Sequence, residues 1–123
     1  MLHVLFAEDE PFVRRATVRG LQRFAKVTEA YDGEHALELV RLGTIFDVLL
    51  TDVRMPRLDG IALIRELRAM NHVLGTQCCV LSGDLDRHSQ TLRSLGIVAY
   101  EKPVPFPVLQ QAIERLARPP TAG

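Results

Sequence analysis

Apolar residues along this chain follow two alternating patterns. Short, nearly continuous apolar runs of β-forming residues give way to stretches in which apolar residues recur every three or four positions. The first pattern marks strands and the second marks amphipathic helices. Leu2–Ala7 reads as a strand, ended by Glu8-Asp9-Glu10. Pro11 suits the first turn of a helix, where its missing N–H costs nothing. Val13, Ala16, Thr17, Gly20, Leu21 and Phe24 then share one helical face. Residues 26–30 form a short, polar strand expected near an edge. Asp32-Gly33 marks a turn, Ala36, Leu37 and Val40 mark a second helix, and Gly43 fits its C-cap. Residues 46–51 are almost all apolar, as in a strand covered on both faces. A loop, 52–59, contains Met55-Pro56, and Asp59 is placed to cap a third helix carrying Ile61, Ile64 and Leu67. Residues 77–81 predict a fourth strand. Residues 86–95 predict a fourth helix with a thin apolar face, mainly Leu92 and Leu95. A fifth strand is expected over 97–101. The last helix, Phe106–Ala117, turns Leu109, Ala112, Ile113 and Leu116 inward.

Five successive strand–helix units of this length imply an α/β fold, an open parallel sheet with helices on both faces. Right-handed crossovers leave few topologies. Sites in such sheets lie beyond the carboxyl ends of the strands, where strand order reverses. The residues at those ends form an informative set. The first strand ends in Glu8, Asp9 and Glu10, the third in Asp52, the fourth in Ser82, and the fifth in Lys102-Pro103; the second offers nothing reactive.

If those ends converge, Glu8, Asp9 and Asp52 are crowded. Two like charges ~5 Å apart repel by roughly 3 kcal/mol at an effective dielectric near 20. Such a cluster needs a raised pKa, a cation, or both. Lys102 supplies one positive charge, and a divalent ion would supply the rest. A set of oxygen ligands without His or Cys favours magnesium. A carboxylate is also a nucleophile in phosphoryl transfer, a reaction that needs the transferring oxygens neutralised and aligned. Asp52 is the best nucleophile because it follows a buried strand and opens a loop, with Lys102 and the Ser82 hydroxyl as partners for the oxygens. Glu10 reads instead as a helix N-terminal charge.

Composition narrows the partners. The chain has 123 residues, 47% hydrophobic and 24% charged, which suits one globular domain. Lys and Arg total 15 and so do Asp and Glu, so charge makes no case for nucleic acid or a membrane surface. No apolar run approaches the ~20 residues of a membrane span. The N-terminus lacks the basic start of a signal peptide. Cys78 and Cys79 are adjacent, point to opposite faces of a strand and read as two small buried hydrophobes, in keeping with a reducing, cytoplasmic setting. His3, His35, His72 and His88 are dispersed without metal-ligand spacing and read as surface or edge residues. Arg14, Arg15, Arg19 and Arg23 run along the first helix as solvated charges.

From Leu2 to about Ala117 the chain resembles a response-regulator receiver domain of two-component signalling, CheY-like. The resemblance rests on residues 4–11, on residues 47–56 around Asp52, and on Asp59-Gly60, Leu81-Ser82-Gly83 and Glu101-Lys102-Pro103 in that order. It implies a flavodoxin-like (βα)5 sheet of order 2-1-3-4-5, with a receiver domain over 1–118 and a tail or linker start over 119–123. It implies that Asp52 accepts a phosphoryl group from a histidine kinase or phosphotransfer protein. Glu8, Asp9, Asp52 and the Arg54 carbonyl would hold Mg2+. Ser82 would reorient toward the phosphate, Lys102 would pair with Asp52 or the phosphate, and the Lys102–Pro103 bond would be cis. Helix 4, strand 5 and helix 5 would carry the signal to an output domain or protein, and a phosphorylation-dependent homodimer is compatible.

Two departures stand out. Glu8 replaces the more usual Asp and has a longer reach. The stretch between Gly96 and Lys102 is about one residue short, so either Tyr100 or Ala99 takes the place of the family's switch aromatic; Tyr100 is preferred because it keeps the usual distance from Gly96. Strand alternation would put Tyr100 on the same face as Lys102 unless a bulge intervenes. Arg54 and Asp84 lie two residues past Asp52 and Ser82, positions that flank the phosphoryl group in this family, and are expected to pair and modulate hydrolysis. Two other readings remain: a receiver-like interaction domain that takes no phosphate, and a phosphatase or phosphotransferase with an aspartate nucleophile. The intact Asp52, Ser82 and Lys102 argue against the first. Arg54, where a general acid would stand, argues against the second.

Overall fold

The computed structural model describes residues 1–117; the end of the expected domain at 118 and the expected tail at 119–123 lie outside the described residues. Five strands, β1 (Leu2–Ala7), β2 (Ala25–Ala30), β3 (Val48–Asp52), β4 (Cys78–Ser82) and β5 (Val98–Glu101), form one parallel sheet of order β2-β1-β3-β4-β5. Helices α1 (Pro11–Leu21), α2 (Gly33–Arg41), α3 (Gly60–Ala69), α4 (Leu85–Ser94) and α5 (Phe106–Ala117) connect and follow the strands. The flavodoxin-like order expected above is the one found.

Period-two alternation divides the core. Leu5, Ala7, Leu49, Cys78 and Val80 pack with α2, α3 and α4, whereas Val4, Phe6, Val48, Leu50, Cys79 and Leu81 pack with α1 and α5. Adjacent Cys78 and Cys79 therefore lie in different clusters as free, buried thiols. Burial pushes them up to about 11 and about 12 respectively. The central strands are buried, and β5 is half exposed along its length.

Three sequence expectations shift. The third strand starts at Val48, not residue 46, and runs through Asp52. Phe46 is buried without pairing: its ring centroid lies 4.7 Å from that of His3, and the Asp47 carboxylate accepts from the His3 amide at 2.7 Å. Its apolar character serves packing at the sheet end. On α1, Val18 and Leu21 are the buried residues, while Val13, Ala16 and Thr17 line an apolar recess of about 490 Å³ shared with Phe106 and Leu109 of α5. Lastly, α4 buries only Leu92, and Leu95 lies just past its end.

The start of α3 fixes the position of the third strand end. The Gly60 amide donates to the Val53 carbonyl at 2.8 Å, and a Cβ at Gly60 would overlap the Asp52 carbonyl oxygen. Gly60→Ala must push α3 off that backbone. Overpacking of this kind is expected to destabilise by about 1–3 kcal/mol, read as a lower urea midpoint with an unchanged slope; an unchanged midpoint would show that the helix can yield freely.

Candidate functional site

Parallel register brings the strand ends to one rim. Ala7 stands opposite Thr51, Asp52 opposite Leu81, and Ser82 opposite Glu101, so the residues following each strand meet. The ladder continues one step further: the Lys102 amide donates to the Ser82 carbonyl at 2.8 Å, and the Glu8 amide to the Ala30 carbonyl at 3.0 Å. Backbone pairing thus aims Glu8 and Lys102 before their side chains make any contact. The Lys102–Pro103 bond is cis.

The Lys102 ammonium joins two carboxylates. Its Nζ donates to Glu8 Oε1 at 2.8 Å and to Asp52 Oδ2 at 3.1 Å. The other Asp52 oxygen accepts from the Val53 amide at 2.7 Å, and Glu8 Oε2 accepts from the Glu10 amide at 3.3 Å. Glu8 is buried, Asp52 is half-buried and Asp9 is exposed at the mouth. Burial raises the Glu8 carboxyl above its ordinary range, against the opposing pull of Lys102. Burial works against the Lys102 charge too, but the Glu8 hydrogen bond and Asp52 outweigh it and leave the ammonium above its usual value. Glu10 caps α1 by accepting from the amides of Phe12 and Val13.

Glu8, Asp9 and Asp52 each offer a carboxylate oxygen, and these lie within 4.8 Å of one another. One ammonium cannot balance three carboxylates at that spacing. The donor set is all oxygen, so it fits a hard divalent cation and does not suit zinc or copper.

Ser82 belongs to a second cluster beside the first. Its Oγ donates to Asp84 Oδ1 at 2.9 Å, and the Asp84 amide donates back to that Oγ at 3.2 Å. Arg54 Nη2 lies 2.7 Å from Asp84 Oδ2, so Arg54 and Asp84 do pair at the rim. The Ser82 hydrogen bond, aided by Arg54, holds the Asp84 carboxyl below its ordinary range. Arg54, Asp9 and His88 line an open cleft of about 440 Å³ together with Val53, Met55, Pro56 and Asp59.

Tyr100 is placed elsewhere. It stands opposite Leu81 and packs with the α1–α5 cluster, on the side where Lys102 lines the recess, as plain strand alternation requires. Ala99 is the residue that packs toward α4, lining a recess of about 180 Å³ with Leu85, Ser89 and Leu92. The structure thus brings together Glu8, Asp9, Asp52 and Lys102, and joins Ser82 to Arg54 and Asp84, but leaves Tyr100 on the other face from Ala99.

Two features escaped the sequence reading. His88 is not a plain surface residue: its Nε2 is buried without a hydrogen-bond partner, 3.7 Å from Asp84 Oδ1. The signal was its position four residues after Asp84, one helical turn away. Arg57 has a left-handed backbone (φ 69°) and its guanidinium binds the buried Asp32 carboxylate at 2.7 Å, tying the β3–α3 loop to the N-cap of α2. Asp32 had read only as part of a turn.

Comparison with known proteins places this geometry. Residues 4–114 match the family model described as response regulator receiver domain. A gliding motility regulatory protein of Myxococcus xanthus is 38% identical over 122 residues, 94% of this chain but 15% of that protein. The chain spans a fifth or less of the first several curated relatives it matches. The receiver domain of Francisella response regulator 1452 superposes with a TM-score of 0.80 at 28% identity, covering 95% of this chain and 97% of that one. The receiver domain of the hybrid histidine kinase CckA gives 0.73 at 32%, covering 94% and 99%.

The raised Glu8 carboxyl has a consequence for stability. A folded-state pKa above the ordinary 4.5 means that Glu8 contributes most below that value, and that this contribution is lost as pH rises through the folded pKa. Glu8→Gln cannot ionise and keeps an acceptor for Lys102. In chelator-treated buffer the variant is expected to melt above the parent at pH 7, with the gap closing below about pH 4.5. Thermal unfolding across pH checks this, and a parent that melts higher at pH 7 would contradict it.

Proposed function

This chain belongs to the response regulator receiver domain family of two-component signalling, and on that footing we propose that Asp52 is its phosphoacceptor. The observation that carries the reading is the Lys102 bridge from Asp52 to Glu8 beside an uncompensated acid cluster. An Asp52 carboxylate oxygen attacks the phosphorus of a phosphohistidine on a kinase or phosphotransfer protein. The P–N bond breaks, and its electron pair leaves with the imidazole. Lys102, already on Asp52 Oδ2, stays within reach of the incoming phosphoryl oxygens. The Ser82 hydroxyl, once freed from Asp84, donates to another.

Glu8, Asp9, Asp52 and the Arg54 carbonyl would hold Mg2+. When bound, it neutralises charge on the acid cluster and on the transferring phosphoryl group. The domain catalyses only its own phosphorylation and dephosphorylation: Arg54, salt-bridged to Asp84, is no general acid for a turnover phosphatase. Phe12, 81% exposed in the first turn of α1, together with the exposed Arg15 and Arg19 of that helix, suits docking of the donor protein.

Ser82 carries the signal toward α4, whose single buried side chain, Leu92, leaves it lightly held. Tyr100 packs with α1 and α5, so a rotation of its ring reads out through that face. The output is a domain or protein contacted through α4, β5 and α5, or a second copy of the chain, in the cytoplasm and without direct nucleic-acid contact. None of the helices among the described residues is long and apolar enough to cross a membrane.

With magnesium and a small-molecule phosphodonor, the parent is expected to gain one phosphoryl group by mass. Asp52→Asn should gain none, and chelation of magnesium should block the reaction; labelling of Asp52→Asn would refute the assignment. Arg54, held at the rim by Asp84 before transfer, covers the approach of water to the phosphoryl group. Arg54→Ala should therefore shorten the phosphoryl lifetime several-fold, and an unchanged decay rate would remove that role.

A further inference from the structure

Aspartate stands at the N-cap of three helices, and it behaves differently at one of them. Asp32 and Asp59 have extended backbones (ψ −178° and 170°), and their carboxylates accept from the amides of His35 and Ala62 at 2.8 and 2.7 Å. Asp84 has ψ 54° and makes no side-chain cap bond to α4. Its carboxylate turns back instead to the Ser82 hydroxyl and Arg54. Asp and Asn are the strongest N-cap residues, so α4 forgoes a cap that its own sequence provides. The two uses exclude each other. Capping would require ψ of Asp84 to rotate toward the extended values at Asp32 and Asp59, and that rotation draws the carboxylate off Ser82.

We propose that Asp84 is a two-position positioning residue for Ser82. In the position seen here it stores the Ser82 hydroxyl away from Asp52, with Arg54 on its second oxygen and His88 alongside. In the other it swings onto the Asp86 amide, caps α4 and releases Ser82 to the phosphoryl group. The energy lost with the Ser82 and Arg54 bonds is offset by the gained cap, which keeps the two positions close in free energy. A chemical event at Asp52 is thereby written into the first turn of α4. The inference rests on the phosphoacceptor reading above and adds to it the element that moves.

The test is a beryllofluoride titration with magnesium on the full chain, followed by amide NMR. Asparagine caps as well as aspartate but holds Ser82 and Arg54 without charge, so Asp84→Asn should bind beryllofluoride more tightly than the parent. Asp84→Ala loses both uses and should bind about fivefold more weakly than Asp84→Asn, the size of one helix cap. A pure charge effect would make the two variants equal, and a latch without exchange would put alanine above asparagine; either result overturns the proposal. In the parent, the Asp86 amide should gain protection from hydrogen exchange on binding, and no gain also overturns it. If the parent takes no beryllofluoride, the phosphoacceptor reading fails, and the exchange is then judged without ligand. In the Ser82→Ala/Arg54→Ala double variant the freed Asp84 should protect the Asp86 amide, and unchanged protection would overturn the exchange by itself.

Discussion

One ammonium faces three carboxylates at the edge of this sheet, and much of the structure follows from that imbalance. Lys102 reaches Glu8 and Asp52 together, and Asp9 remains at the solvent end of the same cluster. Burial makes the arrangement more costly, because the interior screens repulsion poorly and hydrates Glu8 poorly. A rim of this kind is strained until more positive charge arrives, which suits it to a divalent cation. The imbalance costs stability, as functional sites commonly do.

The imbalance is tolerable only because the backbone around it is held from several directions. Parallel pairing sets the height of each strand end, and the amides of Glu8 and Lys102 extend the ladder beyond β1 and β5. Gly60 lets α3 sit directly on the Asp52 carbonyl. The Arg57–Asp32 pair fastens the far end of the β3–α3 loop to α2. By contrast, the β4–α4 turn is held by side chains: Ser82, Asp84 and Arg54 bind one another, and α4 goes without a side-chain cap. A firmly placed carboxylate beside a hydroxyl tied only by side chains is a combination that suits a switch, since only an element with two available arrangements can report a local charge.

Much of this was legible in the chain alone. Continuous apolar runs marked the buried strands β1, β3 and β4, because burial on both faces of a parallel sheet leaves such runs, and helical periodicity marked the five helices; the polar β2 was legible as an edge between two of them. Glu8, Asp9, Asp52, Ser82 and Lys102 followed from reading the residue after each strand. Errors fell where packing and pairing diverge. Phe46 looked like strand and is a buried plug beneath the sheet end. Val13 and Ala16 looked like core and line an open recess, because α5 meets α1 lower down, with Phe106 against Gly20.

The sequence by itself determined which groups reach the rim, since strand ends in a parallel sheet converge whatever their side chains. Tertiary structure alone decided how those groups pair. Lys102 bridges Glu8 and Asp52, which lie 94 and 50 residues away in the chain. Arg57 reaches Asp32, 25 residues away, and ties the β3–α3 loop to α2. It also decided that Tyr100 faces α1 and α5 while Ala99 faces α4. The physical reason is the range of the forces. Periodicity and strand order act through the backbone and are written locally, whereas hydrogen bonds and ion pairs are made over about 3 Å and depend on where distant segments finally pack.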